Sequence, residues 1–281
     1  MNIQEQQICD YIGALAGILY GIEQRIQNIK IYNSNISSSY TAGFIASICS
    51  SLTIQMLMIT DSSINCSYSV RSSSSWVVSG SIVGQILRQG SNQGSNQDIV
   101  KLQQCVIQKI QIYAYHKNWC SLSGGFIGDS HTTPLSITQS ILNQSNISAY
   151  SQVNYVTSAS GILSYVYNSN VDISNIQVIN NKITASNSNS INQQFTSCSS
   201  IFSQVTQITQ KSFLVLSLKN AKVSNMNLYV NGSLMVSGVI FANNQTLQFI
   251  VNYVSTEGIN TINDIIIANC GNVVSQFQNG C

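Results

Sequence analysis

The residues best suited to chemistry in this sequence are Asp129 and His131, in the stretch GDSHTTP. On a β-strand, two residues at i and i+2 place their side chains on the same face. This pair is the nearest approach to a catalytic cluster in the chain. The competing interpretation is a polar loop that ends at Pro134, and we favour it. The pair is therefore kept as a weak candidate for binding, and no catalytic residue is predicted.

A second candidate patch is the aromatic stretch YAYHKNW, in which His116 lies among Tyr113, Tyr115 and Trp119. Tyrosine and tryptophan combine an apolar ring with a polar tip, which suits a carbohydrate-facing surface. The simpler interpretation is a loop that packs on the polypeptide beneath it. These four residues are predicted only as weak binding candidates.

The eight cysteines form no C-x-x-C motif, so the sequence predicts no zinc or redox site. Local disulfides between Cys49 and Cys66, or between Cys105 and Cys120, would be available outside the cell. The alternative, which we favour, is that the cysteines fill small core positions. GSNQGSNQ at 90–97 lacks the Lys-Ser/Thr pair of a phosphate loop, and no cofactor is predicted.

The acidic residues decide whether the chain could carry out acid–base catalysis, because such mechanisms commonly need clustered carboxylates. None of the nine acids is adjacent to another or two residues away from one. An enzyme would therefore need carboxylates brought together from different parts of the chain. The nine are Glu5, Asp10, Glu23, Asp61, Asp98, Asp129, Asp172, Glu257 and Asp264.

The composition favours a β-rich fold with many turns. Charged residues make up 7% of the 281 residues, against roughly a quarter in an average protein. The chain instead carries 46 Ser, 31 Asn and 27 Gln, and its apolar residues are dominated by isoleucine. β-branched residues suit strands, whereas Ser and Asn favour turns and can hydrogen-bond to copies of themselves when stacked. A net charge of +2 gives no electrostatic footprint for nucleic acid.

An apolar pattern recurs along the chain with the period-2 alternation of strands. Its clearest copy is ISNIQVINNKI, with apolar residues at Ile173, Ile176, Val178 and Ile183. The other copies begin at Ile26, Ile54, Ile107, Ile137, Val223 (or Phe213 in another register) and Ile262. Asn/Ser clusters such as 33–35, 168–170 and 180–181 separate the strands and are predicted to form corners, since Asn tolerates left-handed backbone.

A second element, a small residue before a short apolar strand, precedes most copies. Its anchors are Gly17, Gly43, Gly80, Gly125, Gly161, Ser200, Gly238 and Gly271. A single repeat cannot bury its own apolar face, but a stack of repeats can. The sequence therefore predicts an all-β fold, a single parallel β-solenoid (a right-handed β-helix) of roughly seven or eight irregular coils with polar loop insertions. A β-sandwich is the runner-up. A helix over 4–26 is a minor alternative.

The small-Gly-apolar-apolar element in SGSIVG, GGFIGD and AGILYG, followed by an Ile-rich strand, resembles the GLUG-type and related right-handed β-helix repeats of surface adhesins. It is also similar to the Ile/Asn/Ser-rich repeat proteins of anaerobic protists. The resemblance implies a surface or secreted setting and an adhesive or structural role, and it supplies no catalytic residues.

The predicted function is that of a non-catalytic structural or adhesive surface protein that binds glycans or proteins through exposed Ser, Asn and Tyr faces. The alternative is a carbohydrate-active β-helix enzyme, a polysaccharide lyase or glycoside hydrolase. We expect one solenoid domain over residues 1–281, belonging to a longer repeat protein and able to stack end to end on further repeats. No membrane-spanning segment is predicted, because the longest apolar stretch near the start, 11–22, is too short. A secreted or cell-surface location is expected. No signal peptide is visible, because residues 1–10 contain acidic residues and no basic ones, whereas a signal peptide begins with a positively charged segment.

Overall fold

The computed structural model describes residues 2–3, 11–19, 24–69, 76–87, 99–152, 156–188, 195–206, 215–231, 234–238, 241–244, 248–262 and 273–276. In these residues the chain forms strands and no helix, so a helix over 4–26 is wrong for the part of that segment that the structure describes. The strands are β1 (Asn2–Ile3), β2 (Tyr11–Gly13), β3 (Ala16–Leu19), β4 (Gln24–Tyr32), β5 (Asn35–Ser38), β6 (Thr41–Gly43), β7 (Ala46–Cys49), β8 (Leu52–Thr60), β9 (Ser63–Tyr68), β10 (Val77–Gly80), β11 (Val83–Leu87), β12 (Val100–Gln108), β13 (Gln111–His116), β14 (Ser121–Gly124), β15 (Ile127–His131), β16 (Leu135–Thr138), β17 (Ile141–Asn143), β18 (Asn146–Ser151), β19 (Thr157–Ser160), β20 (Leu163–Tyr167), β21 (Val171–Ile179), β22 (Lys182–Asn187), β23 (Phe195–Ser199), β24 (Phe202–Thr206), β25 (Val215–Asn231), β26 (Leu234–Gly238), β27 (Phe241–Asn244), β28 (Gln248–Ile262) and β29 (Val273–Gln276).

The chain is a parallel β-solenoid with three sheets. Each coil contributes one strand to a second sheet (β2-β6-β10-β14-β19-β23-β26) and one to a third (β3-β7-β11-β15-β20-β24-β27). It then crosses the first sheet twice, through a long strand such as β8 or β12 and a short strand such as β9 or β13. We call these halves of the first sheet the long wall (β4, β8, β12, β16, β17, β21 and 215–224 of β25) and the short wall (β5, β9, β13, β18, β22 and 227–231 of β25).

The predicted apolar pattern lines the interior of the coils in register. Ile173 pairs with Ile137 in the preceding coil and with Leu218 in the following one, and all three are buried. Ile183 likewise lies between Ile147 and Leu228. One continuous apolar core runs through these columns, as the pattern predicts.

Three copies of the pattern lie in a different register from the predicted one. The third copy begins at Leu102 and not at Ile107, because Cys105 occupies the apolar position that Ile176 fills two coils later. The sixth begins at Leu218, and Ala221 takes the second position. The small inward residues Cys105 and Ala221 made the register of these two copies hard to recognise in the sequence. The last copy begins at Val251, which pairs with Leu218, and not at Ile262, which pairs with the outward Tyr229; Ile265 and Ile267 lie outside the described residues.

The small-residue anchors also need correction. Gly80 pairs with Gly43 by extension of the register and directly with Gly124, so Gly124 and not Gly125 occupies this column. The column continues through Ser160 and Ser199, and not through the predicted Gly161 and Ser200. In the first coil the partner of Gly43 is Gly13, not Gly17. A Cβ on Gly124 would meet the backbone of Ile127 in the tight connection to the next strand, which explains why glycine occupies this position.

Asparagine and other polar residues make the corners, as the sequence predicts. Asn33, Asn168 and Asn180 have φ values of 46°, 48° and 56°, in the left-handed region. Stacked amides hydrogen-bond from coil to coil: Asn225 Nδ2 donates to Asn180 Oδ1 at 3.0 Å, and Asn180 Nδ2 donates to Asn143 Oδ1 at 3.2 Å. Columns of asparagine amides thus connect neighbouring coils on the outer surface. Like charges stacked in such a column would repel one another.

The five described cysteines are buried, as the favoured interpretation expects, and Cys49, Cys66, Cys105 and Cys120 are not joined by either of the two local disulfides considered. They are Cys49, Cys66, Cys105, Cys120 and Cys198. Burial raises the pKa of Cys49 and of Cys120 to about 12, which keeps these thiols protonated and unreactive near neutral pH. Cys9, Cys270 and Cys281 lie outside the described residues.

Candidate functional site

The structure separates the two predicted patches onto different faces of the solenoid. Tyr113, Tyr115 and His116 lie on β13 in the short wall, and Trp119 follows in the turn after it. Asp129 and His131 lie on β15 in the third sheet, so the favoured interpretation of a polar loop is wrong for these two residues. The six candidates therefore do not form one site.

His116 is fully buried and closes the turn that follows β13. Its Nδ1 accepts hydrogen bonds from the backbone N–H groups of Asn118 and Trp119, at 2.9 and 2.7 Å. The ring packs beside Tyr68, with 5.1 Å between the ring centroids. Burial lowers the pKa of His116 to about 4, so Nδ1 stays an acceptor at neutral pH. This environment gives His116 a structural task inside the coil.

We expect protonation of His116 to destabilise the fold in acid. The unfolded chain takes up this proton near pH 6.5, whereas the folded chain resists until about pH 4, so the stabilisation is fully present above pH 6.5 and is lost as pH falls through that window. The contribution to the free energy of unfolding lost by pH 4 is at most about 3 kcal/mol.

His116→Asn keeps an acceptor oxygen and removes the titrating group. Denaturant unfolding of both proteins between pH 7 and pH 4 should give a shallower decline for the variant. Identical declines would show that His116 is not the group responsible.

Asp129 and His131 lie in the outer angle between the second and third sheets. The coil register stacks Asp129 between Gln85 and Tyr165, and it stacks His131 beside Tyr167. Asp129 is completely buried although it points away from the main core, because a small aromatic and apolar cluster fills this angle. The cluster contains Val78, Leu122 and Tyr165, with Trp76, Val156 and Tyr167 packed against it.

Asp129 Oδ2 lies 2.9 Å from His131 Nε2 and accepts a hydrogen bond from Gln85 Nε2 at 2.8 Å. The contact with His131 is a close ion pair whose geometry is poorer than that of a directed hydrogen bond, and Asp129 Oδ1 is buried without a partner. Burial lowers the pKa of His131, but the contact and the charge of Asp129 outweigh it, and the net effect raises that pKa above its usual value. Since a raised pKa favours the charged ring, this pair stabilises the fold most at low pH and less as pH rises.

Three aromatic rings surround His131. Its ring centroid lies 5.0 Å from that of Tyr167, 5.9 Å from that of Tyr165 and 6.0 Å from that of Trp76. About a quarter of the His131 side chain is exposed, so the cluster reaches the surface at its rim. This arrangement can hold a protonated imidazole between a carboxylate and aromatic faces. The sequence analysis did not identify Gln85, Trp76 or Tyr165 as neighbours of this pair. A constant spacing could have revealed two of them, since Gln85, Asp129 and Tyr165 each lie five residues after the small residue that ends the preceding strand.

The described carboxylates do not converge. Asp129 lies in the third sheet, Asp61 lies at an exposed corner of the first sheet, and Asp172 is exposed on the long wall. Among the described residues no three His, Cys, Asp or Glu side chains approach one another as metal ligands would. Asp61, Asp129 and Asp172 therefore form no two-carboxylate catalytic pair with one another.

The short wall presents tyrosines to solvent. Tyr115 stacks on Tyr150 of the next coil, with 5.5 Å between ring centroids and 12° between ring planes. Tyr113 lies on the same outer face and is 38% exposed. Burial, then the neighbouring Tyr115 and Tyr150, raises the pKa of Tyr113, which agrees with three phenols placed close together. Polar side chains flank them, including Ser63, whose Oγ donates to Asn35 Oδ1 at 2.6 Å.

No family model and no curated protein matches the chain. One solved structure is similar, that of a candidate immunoglobulin A1 protease from Bacteroides ovatus, with a TM-score of 0.46 and 14% sequence identity. The match covers 90% of this chain and 61% of the other, so this chain spans less than two thirds of that protein. No helix in the described residues is long and apolar enough to cross a membrane.

Proposed function

We propose that this protein is a non-catalytic structural or adhesive repeat protein, of the surface-adhesin type that its GLUG-like repeats resemble, which binds glycans through the short wall. The observation that carries the proposal is the group of Tyr113, Tyr115 and Tyr150 on one outer face, where Tyr113 is exposed and the other two are half-buried. Flat aromatic rings bordered by amide and hydroxyl groups match the apolar ring faces and the hydroxyl groups of sugars. A secreted or surface location and a single domain within a longer chain belong to the same proposal.

The enzyme alternative, a polysaccharide lyase or glycoside hydrolase, has less support. It needs two carboxylates on one groove, and Asp61, Asp129 and Asp172 lie on separate faces. Asp129 is enclosed by Gln85, His131 and the aromatic cluster, and its carboxylate is not accessible at the surface. The exposed tyrosines therefore favour binding over catalysis.

Removal of the tyrosines should strongly weaken glycan binding. The variant Tyr113→Ala/Tyr115→Ala/Tyr150→Ala is expected to bind a glycan selected from a glycan array about tenfold or more weakly than the wild type, because exposed aromatic anchors dominate such interfaces. Tyr32→Ala is the matched control, since Tyr32 is 45% exposed on the long wall. Equal loss in both variants, or no binding to any glycan by the wild type, would contradict the proposal.

A further inference from the structure

A shallow depression of about 450 Å³ lies on the short wall, lined by Lys182, Thr184, Asn227, Leu228 and Tyr229. It spans β22 and the last part of β25, where Lys182 pairs with Asn227 and Thr184 with Tyr229. Every outward side chain of this group differs in chemistry from the others: an ammonium, a hydroxyl, an amide and a phenol. A surface that only needed solubility would not require this combination in one hollow.

Lys182 is exposed, and no described carboxylate lies within ion-pair distance of it. The other outward positions of the short wall in the described coils are Ser, Thr, Asn, Gln and Tyr. Lys182 is thus the one charged side chain that these strands present outward. An ammonium beside a phenol ring and two hydrogen-bonding groups suits a sugar ring that carries an anionic substituent.

The depression lies in the same column of outward residues as the exposed Tyr113. Tyr229 and Tyr113 belong to the same column, with Ser148 and Thr184 between them. Parallel strands are spaced about 4.8 Å apart, so three coil steps separate the two tyrosines by roughly 14 Å. A polysaccharide lying along the solenoid axis could therefore contact Tyr113, Tyr150 and Tyr229 together.

The charge of the whole first sheet points in the same direction. Between Gln24 and Asn231, its described strands and corners carry seven basic side chains, among them Lys101, Lys219 and Lys222, against the acids Asp61 and Asp172. This excess is concealed in the net charge of +2 for the whole chain. A surface of one sign attracts polymers of the opposite sign over several ångströms.

We propose that the ligand of the short wall is an anionic polysaccharide, carboxylated or sulfated, and that Lys182 and Tyr229 form the subsite for its charged sugar. This inference rests on the proposed glycan-binding function and names the class of glycan. The tyrosines contact sugar ring faces, Thr184 and Asn227 hydrogen-bond to hydroxyl groups, and the Lys182 ammonium pairs with the anion.

The test measures binding of the full chain to immobilised polygalacturonate, heparin and neutral dextran. Poly(U) serves as a competitor, because it is a polyanion without pyranose rings. Wild type should prefer either acidic polysaccharide to dextran, and the preferred one identifies the anion. Lys182→Gln should weaken that binding about three- to tenfold, the range for loss of a charge-assisted contact at a partly exposed site. Lys101→Gln, an equal charge change on the long wall, should weaken it less than about twofold.

Equal effects of the two lysine variants, or full competition by poly(U), would overturn the anionic-sugar subsite. If dextran binds as well as the acidic polymers and the triple tyrosine variant abolishes binding, the subsite fails and the proposed glycan-binding function stands. If no polysaccharide binds, both fail.

Discussion

Replacement of Ile173 by alanine is expected to lower the free energy of unfolding by about 3–4 kcal/mol. Ile173 is completely buried between Ile137 and Leu218 in the column that passes through the coils. The shortened side chain leaves a cavity, because hydrogen bonds to both neighbouring coils fix the backbone on either side. Denaturant unfolding followed by circular dichroism measures the change.

The control is Asp172→Ala, one residue earlier on the same strand but exposed on the outer face. It should change the unfolding free energy by no more than about 0.5 kcal/mol. Similar losses of unfolding free energy for Ile173→Ala and Asp172→Ala would contradict the structure, in which Ile173 faces the core and Asp172 faces solvent.

Gly125→Ala is expected to destabilise the protein by about 3 kcal/mol, although it adds only one methyl group. A Cβ at this position would overlap the backbone carbonyl of Gly161 in the next coil, and it would also contact Leu142. The backbone of Gly125 is itself fixed, since its N–H donates to the carbonyl of Ser160 at 2.9 Å. Neither coil can withdraw without the loss of inter-coil hydrogen bonds.

Gly17→Ala is the matched control, because the nearest atom to its added Cβ is the carbonyl oxygen of Tyr11 at 3.3 Å. Thermal unfolding should show a much smaller loss for Gly17→Ala than for Gly125→Ala. Similar values would mean that the close approach of coils at Gly125 is absent in solution.

The fold could be predicted because its determinants are local and repeated. Period-2 isoleucines in ISNIQVINNKI indicated the inward face of β21 and β22, and asparagines at 33, 168 and 180 indicated corners. Register was harder, since Cys105 and Ala221 replace larger apolar residues in the second position of their copies. A repeat that tolerates small inward residues can be detected by its period more easily than it can be aligned.

The candidate sites could be predicted only in part, because they are assembled across coils of unequal length. Asp129 and His131 were found from their i, i+2 spacing, but their neighbours Gln85 and Tyr165 are 44 and 36 residues away from Asp129 in the chain. The polar insertions between coils vary, and they set these intervals. The depression at Lys182 and Tyr229 could not be predicted for the same reason, since its residues come from β22 and β25, which are brought together only by the stacking of successive coils.

The stacked-coil register can be tested most directly by distances between spin labels in one column of the short wall. Asn35, Ser63, Gln111, Asn146, Lys182 and Asn227 occupy successive coils of that column. Labels on non-natural residues leave the native cysteines untouched. Double electron–electron resonance should give distances consistent with backbone separations of roughly 19 Å for positions 35 and 182 and roughly 24 Å for positions 35 and 227. The two distances should differ by about one strand spacing. Distances that do not increase by one strand spacing per coil would contradict the solenoid on which the proposed binding face depends.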